Sequence, residues 1–152
     1  MRIEHLEDHP EHVAELARLH HEEWGYLTPG VDASERAARL HRQREHSGIP
    51  TTFIALDGAV LCGSAMLVTH DMDIRPQYSP WLASVFVVPQ YRNRGYGALL
   101  VKRAMAEASA LGVPLLYLYT PDAQDFYARL GWDVVEHCEY FGTRMTVMSR
   151  AF

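Results

Sequence analysis

The amino-acid sequence predicts an α/β fold with a central mixed, twisted sheet of about seven strands flanked by four helices. Apolar segments of strand length alternate with segments of helical periodicity along the chain. Asp57-Gly58, between two apolar segments, predicts an antiparallel hairpin. Further along, a strand, a helix and another strand follow one another, which is the pattern of a parallel crossover.

The first part of the chain predicts one strand and two helices. Ile3 begins a short strand, and His9-Pro10 introduces a helix whose apolar residues keep helical spacing up to Trp24. A cap at Asp32 to Ser34 begins a second helix, which we expect to reach about His46.

Three strands come next. Thr51 to Leu56 and Val60 to His70 form the hairpin, and a polar loop, Asp71 to Pro80, leads to the apolar strand Trp81 to Val88. The order of elements therefore changes from helical to strand-rich in the middle of the chain.

The remaining segments predict two helices and three strands. Helical spacing is carried by Leu99, Leu100, Arg103, Ala104, Ala108 and Leu111. Gly112 ends this helix. Leu115 to Tyr119 predicts a buried strand, Asp122 to Leu130 a short helix, and Trp132 to Tyr140 and Thr143 to Arg150 two final strands.

Composition favours one domain over residues 1–152, since 48% of the residues are hydrophobic and supply one well-buried core. No apolar run is long enough to cross a bilayer, and the first residues lack a signal peptide's apolar stretch, so we expect a cytoplasmic protein. Cys62 and Cys138 have no metal-ligand or redox spacing.

The net charge of −5 argues against a general nucleic-acid-binding protein and leaves the basic residues near position 92 as a local exception. An acidic body with one basic site suits an anionic cofactor and a cationic second substrate. Nucleic-acid binding would have to depend on Arg92, Arg94, Lys102 and Arg103.

The segment from Val87 to Ala98 predicts an anion site, because a strand runs into a glycine-spaced turn that opens a helix. Gly95 and Gly97 permit close approach of the backbone, and Arg92 and Arg94 add positive charge. The segment fits neither a P-loop nor a dinucleotide fingerprint. The alternative is that the glycines only ease a tight turn.

Two motifs resemble one enzyme family. Val88 to Ala98 resembles the acetyl-CoA-binding signature of the GNAT N-acetyltransferases, Arg/Gln-x-x-Gly-x-Gly/Ala after a strand, and Phe126 to Trp132 resembles the family's Phe/Leu-Tyr-x-x-x-Gly-Phe segment. The resemblance implies a GNAT-like acyl-CoA N-acyltransferase fold over nearly the whole chain. It also implies acetyl transfer from acetyl-CoA to a primary amine. Leu118 to Tyr127 and His21 to Trp24 loosely resemble the branch that contains the actin N-terminal acetyltransferase.

The resemblance also assigns the acetyl-CoA contacts. The backbone of Phe86, Val87 and Val88 would bind pantetheine. The pyrophosphate would lie on Arg92, Asn93, Arg94, Gly95, Tyr96, Gly97 and Ala98. Lys102 and Arg103 are candidates for the adenosine 3′-phosphate, or else belong to a solvated helix face.

By the same resemblance, Tyr127 is the candidate acid that protonates the leaving thiolate, with a core tyrosine as the alternative. The family often has an Asn six residues earlier, where this chain has Pro121. Many members have a Glu or Asp base on the strand before the turn, and this strand has none. The remaining candidates are Glu22, Glu23, His70, Asp71, Asp73 and, as a water anchor, Ser84.

We expect the acceptor pocket between the early helices and the loop before the fourth strand. Its candidate walls, each equally compatible with core packing, are Trp24, Tyr26, Tyr78 and Trp81. Glu22, Glu23, Asp71 and Asp73 would offer counter-charges to a small cationic amine such as an aminoglycoside. A peptide N-terminus, a lysine, or a non-catalytic acyl-CoA-binding regulatory role are the alternatives.

Adjacent residues His20 to Glu23 do not share a helix face, so no metal site is expected there. No membrane partner is expected either. The resemblance also allows a homodimer through the C-terminal strands. The acceptor, the general base and the length of the donor's acyl chain stay open.

Overall fold

The computed structural model describes residues 1–42 and 48–152, which form a seven-stranded sheet with helices on both faces. In chain order the elements are β1 (Arg2–His5), α1 (Val13–Trp24), α2 (Ala33–Arg42), β2 (Thr51–Asp57), β3 (Val60–Val68), β4 (Trp81–Val87), α3 (Tyr96–Ala110), β5 (Leu115–Thr120), α4 (Gln124–Arg129), β6 (Asp133–Tyr140) and β7 (Thr143–Ala151). The expected end of the second helix near His46 lies outside the described residues.

The sheet has the order β1-β2-β3-β4-β5-β7-β6. Strands β1 to β4 pair antiparallel, β4 and β5 pair parallel, and β7 lies antiparallel between β5 and β6. Because parallel neighbours need a crossover connection, α3 passes over one face between β4 and β5. This mixed sheet with four helices confirms the predicted fold class.

Each face of the sheet buries its own apolar cluster. One cluster joins α1 and α2 to the sheet through residues such as Leu16, Leu40 and Ile54. The other joins α3 to the sheet through Phe53 and Leu100. Phe53 and Ile54 are neighbours on β2 and enter opposite clusters, as the period of two of a strand requires. Burial of one such side chain is worth about 1.5–3 kcal/mol, so packing more than helix propensity holds the helices.

The structure differs from the sequence prediction at two local points. Leu99 and Leu111 are 46% and 43% exposed, because the buried face of α3 is centred on residues such as Leu100 and Ala104 instead. In the hairpin Asp57 pairs with Val60, so the two turn residues are 58 and 59, one position later than predicted.

Candidate active site

The turn after β4 presents backbone amides at the start of α3. Gly95 caps the helix in the left-handed conformation, with φ of 82°, and no side chain of the described residues caps it. Leu99 N–H donates to the Gly95 carbonyl at 3.2 Å, and the amides before it lack helical carbonyl partners. A Cβ at Gly95 would meet nothing within 4 Å. The turn therefore fits a bound pyrophosphate, such as that of acetyl-CoA.

Arg92 is turned back toward β4. Its Nε donates to the Val87 carbonyl at 2.8 Å, and its Nη2 lies 3.4 Å from Oε2 of Glu23. Its guanidinium also lies 5.7 Å from the ring centroid of Phe86. Arg94 is exposed and packs over the Tyr91 ring. Glu23, a predicted acceptor residue, thus partly offsets the positive charge beside the turn.

Strands β4 and β5 separate soon after they meet. Their pairing register contains only Trp81 and Tyr117 within the described residues, and Tyr117 N–H donates to the Pro80 carbonyl at 3.0 Å. Strand β5 nevertheless remains paired with β7 as far as Thr120. The later part of β4 consequently has a free edge toward β5. An extended amide-bearing chain such as pantetheine fits this gap, since it can hydrogen-bond that edge.

A bulge distorts β4 in the middle of this free edge. Ser64 of β3 pairs with Phe86, and Met66 pairs with Ala83, so two residues of β4 face one of β3. Ser84, the first of the two, has φ of 50°. A non-glycine residue rarely adopts this conformation, and its neighbours must hold it there.

A buried hydrogen-bonded chain holds the bulge. Ser64 Oγ donates to the Ser84 carbonyl at 2.8 Å and therefore accepts a hydrogen bond from His20 Nε2, also at 2.8 Å. This arrangement assigns the His20 proton to Nε2 and leaves the lone pair on Nδ1. Burial, assisted by the positive charge of Arg36, lowers the pKa of His20 to about 3, so its ring stays neutral.

Tyr127 lies on α4 and faces the gap from the other side. Its side chain is buried, and its hydroxyl has no hydrogen-bond partner among the residues that the structure describes. Burial, with a smaller contribution from the negative charge of Asp122, raises the pKa of Tyr127 above its ordinary value. The phenol therefore keeps its proton at neutral pH, as a proton donor requires.

Two adjoining cavities meet at the bulge. The larger cavity, of about 430 Å³, is lined by Trp24, Tyr127 and residues of β4 and β5. The smaller, of about 300 Å³, extends toward α2 and the loop before β4. Both cavities are lined by Arg36, Arg39, Asp71, Ala83, Ser84 and Tyr140. Their junction therefore places charged side chains beside the bulged strand.

Asp71 is the carboxylate at this junction. Burial raises its pKa to about 7, and the positive charge of Arg39 only partly opposes that rise. Tyr119 of β5 and Tyr140 of β6 also lie close enough for the charge of Asp71 to raise their pKa values, although burial is the main cause. Asp71 is thus poised to gain or lose a proton near neutral pH. His70 and Asp73 line the smaller cavity only.

Several predicted acceptor residues lie elsewhere. Trp81 is fully buried, and its indole donates to the Tyr78 carbonyl at 2.7 Å. Tyr78 itself donates to Glu136 at 2.7 Å. Tyr26 is 69% exposed, and Glu22 pairs with Arg18 on the surface. Trp24 lines the larger cavity, whereas Tyr26, Tyr78 and Trp81 line neither of the two cavities.

From the sequence alone, His20 is considered only as a metal ligand, and no role is assigned to Ser64, Arg36 or Arg39. A signal existed for the two arginines, because residues three apart lie on the same helix face. His20 falls on the apolar face of α1 with Leu16, which marks it as buried. Nothing in the sequence around Ser64 indicates that its hydroxyl would reach across to a bulge.

Lys102 and Arg103 differ in their surroundings. Arg103 pairs with Glu107 at 3.2 Å and lies 4.6 Å from the centroid of the Phe53 ring, so it packs along α3. Lys102 is exposed. Across residues 1–42 and 48–152, no three His, Cys, Asp or Glu side chains could hold a metal ion together. No helix in these ranges is both long and apolar enough to span a bilayer.

Residues 13–132 match the model of the acetyltransferase (GNAT) family. No curated protein matches the sequence significantly. Similar solved structures include an aminoglycoside 6′-N-acetyltransferase complexed with coenzyme A, with 17% identity, a TM-score of 0.79, and coverage of 99% of this chain and 97% of that one. Another is a ribosomal-protein-alanine N-acetyltransferase from Brucella melitensis, with 15% identity, a TM-score of 0.78 and complete coverage of both chains. An aminoglycoside 6′-acetyltransferase type Ii has 20% identity, a TM-score of 0.72, and coverage of 99% and 97%. At these identities the likeness concerns the fold.

Proposed function

Since the chain belongs to the acetyltransferase (GNAT) family and is therefore an N-acetyltransferase with acetyl-CoA as its acetyl donor, we propose that it transfers the acetyl group directly to the primary amine of a small acceptor. The observation that carries this proposal is the free edge of β4. It connects the anion-binding turn to Tyr127 and to a cavity with a titratable carboxylate. Direct attack needs donor and amine to be bound together, and the two adjoining cavities provide room for both.

The donor would lie along β4 and end at the turn. We assign pantetheine contacts to the backbone of residues 86–88, where the ligand would replace Arg92 Nε at the Val87 carbonyl. We assign pyrophosphate contacts to the amides and side chains of residues 92–98. Acetyl-CoA supplies the activated thioester carbonyl. Phe126 packs 3.5 Å from the position that a Cβ would take on Gly97, which keeps the first turn of α3 narrow beside α4.

Tyr127 would protonate the leaving sulfur. The phenol carries its proton at neutral pH, because burial raises its pKa, and no described residue accepts a hydrogen bond from it. The hydroxyl is therefore free to face a ligand. A positioned acid of this kind is worth about 10²–10⁴ in rate.

Asp71 is our candidate for the general base. Strand β4 offers no carboxylate, and Glu22 and Glu23 pair with arginines outside both cavities. Asp71 lines both cavities beside Ser84, and burial raises its pKa to about 7, close to the value that a base needs at neutral pH. Ser84 would help to position the acceptor amine, or a water that links the amine to Asp71.

A small amine suits the acceptor cavity, whose volume of about 300 Å³ is at the lower end of the range for small-molecule sites. An aminoglycoside is one candidate, and the carboxylates of Asp71 and Asp73 favour it. Arg36 and Arg39 line the same cavity and oppose a polycation. A peptide N-terminus or lysine is the alternative acceptor. Cytoplasmic location and a homodimer remain predictions from the sequence.

The decisive experiment incubates the protein with acetyl-CoA and a panel of small amines, aminoglycosides and peptides, and measures thiol release and acetylated product. We expect amine-dependent release. Binding of CoA without release for any amine would instead support a non-catalytic acyl-CoA-binding domain.

Tyr127→Phe tests the proposed acid. Because the hydroxyl has no described protein partner, we expect the fold to persist and kcat to fall about 10²-fold with little change in the KM for acetyl-CoA. Tyr117→Phe is the matched control, since that ring stacks on Tyr78 and lines neither cavity. Full turnover by Tyr127→Phe would leave the residue a structural role only.

A further inference from the structure

Two arginines of α2 bring positive charge to the acceptor cavity without an ion-pair partner among the described residues. Arg36 and Arg39 line both cavities. Neither has a carboxylate within ion-pair distance among residues 1–42 and 48–152. Other arginines beside acidic groups do pair, as Arg75 does with Glu136 at 2.7 Å. The cavity arginines are therefore available for an anion from outside the protein.

The guanidinium of Arg36 is held in place by two hydrogen bonds. Its Nε donates to His21 Nδ1 at 3.3 Å, and its Nη2 donates to Thr28 Oγ1. These contacts fix the orientation of the guanidinium group but do not neutralise its charge. The side chain is partly buried, and burial together with the nearby charge of Arg39 lowers its pKa, although an arginine stays protonated at neutral pH.

The surrounding groups respond to this charge. Arg36 contributes, after burial, to the low pKa of His20, so the field of the guanidinium reaches the chain that holds the bulge. Asp71 and Arg39 attract each other through space, since the charge of Arg39 opposes the rise in the pKa of Asp71, but no nitrogen of Arg39 lies within 4.0 Å of the carboxylate. Burial also favours the protonated form of Asp71. The cavity thus presents two cations and one carboxyl that is partly neutral at pH 7, with Asp73 more exposed at its margin.

We propose that the acceptor is a small amino acid, whose carboxylate is bound by Arg36 and Arg39 while its primary amine faces Asp71. This inference rests on the proposed acetyltransferase function and names the acceptor class. Planar guanidinium groups bind carboxylates through paired hydrogen bonds, so the two arginines would select the anionic end and orient the amine. The positive charges of the two arginines would repel the additional ammonium groups of a polycation.

The test compares each common amino acid with its carboxamide, in which the amine is retained and the anion is removed. An aminoglycoside and a short peptide serve as further acceptors. We expect the preferred amino acid to exceed its amide in kcat/KM by about 10- to 100-fold, the range for one to two charge-assisted hydrogen bonds. The difference should lie mainly in KM, because the carboxylate takes no part in bond making.

Arg39→Gln should lower the ratio of kcat/KM for the acid to kcat/KM for its amide by about tenfold or more. Arg39 is exposed toward the cavity, so the substitution leaves the core intact. Arg42→Gln, on the same helix and outside both cavities, is the matched control.

Equal rates for acid and amide, preference for the aminoglycoside or peptide, or an unchanged acid preference in Arg39→Gln would each overturn the inference. In those cases amine-dependent thiol release would still support the proposed function. If no amine released thiol, the proposed function would fail, and the inference would fail with it.

Discussion

Replacement of Asp71 by Asn separates its proposed catalytic role from its cost to stability. The carboxyl of Asp71 lies close enough to Arg39 of α2, Tyr119 of β5 and Tyr140 of β6 for their charges to interact, and Asp73 of the same loop acts on both tyrosines as well. Burial disfavours its charged form and raises its pKa to about 7, whereas an unfolded chain gives Asp about 3.9. The native state therefore holds a proton that the unfolded state loses across this pH interval.

The sign of the effect follows from proton linkage. The native state binds more protons between about pH 4 and pH 7, so the wild-type free energy of unfolding falls as pH rises through that window and levels off above it. Three pH units correspond to about 4 kcal/mol at most. Because the side chain borders an open cavity, solvent screening reduces this to about 1–2 kcal/mol.

Urea denaturation of both proteins at several pH values measures the difference. Asp71→Asn should gain stability relative to wild type by about 1–2 kcal/mol between pH 4 and pH 8, or about 2–8 °C in Tm. Asp133→Asn, on an exposed position of β6, controls for the loss of one negative charge. In activity assays Asp71→Asn should lower kcat/KM, and its pH–rate profile should lack the rise near pH 7 that titration of Asp71 gives the wild type. A stability difference that is the same at every pH would refute the raised pKa, and an unchanged pH–rate profile would refute the base assignment.

Two further substitutions test the bulged edge. In Gly63→Ala the new Cβ would lie 2.4 Å from the Phe86 carbonyl oxygen, so β4 must shift. We expect the free energy of unfolding in urea to fall by about 1–3 kcal/mol and CoA binding, measured by calorimetry, to weaken. Wild-type values for both would contradict this. Ser64→Ala leaves His20 Nε2–H without its acceptor and removes the hydrogen bond to the Ser84 carbonyl. We expect the free energy of unfolding to fall by about 1–3 kcal/mol and kcat to decrease. A variant as stable and active as wild type would show that these hydrogen bonds do not hold the bulge.

Features with local causes were predictable from the sequence. The turn around Gly95 depends on glycines and on the start of a helix, and both are visible in adjacent residues. The cap at Asp32 is equally local, since its Oδ1 accepts from Glu35 N–H at 2.8 Å. Strand β4 and the crossover helix followed from apolar periodicity, which packing of the sheet then reinforced.

The acceptor side could not be predicted in this way, because its properties arise from residues far apart in the chain. The pKa of Asp71 depends on its burial and on Arg39 of α2, and the charge of the cavity depends on α2 reaching the loop before β4. Net charge suggested a cationic acceptor, yet Glu22 and Glu23 are engaged with surface arginines, while Arg36 and Arg39 enter the cavity. Overall charge therefore gave no guide to the local field.

The bulge at Ser84 explains how one strand serves both sides of the sheet. Ala83 packs with the cluster under α1 and α2, whereas Val85 packs with the cluster under α3, although residues two apart on a regular strand share a face. One inserted residue reverses the alternation and brings Phe86 to 5.9 Å from His20 and Val87 to 3.7 Å from the Cβ position of Gly97. Without the bulge Phe86 would point toward α3, into the narrow start of the helix where the pyrophosphate is proposed to bind. The strand thus faces the proposed acceptor cavity before the bulge and the proposed donor turn after it. The strained positive φ of Ser84 is the local consequence of this change of face.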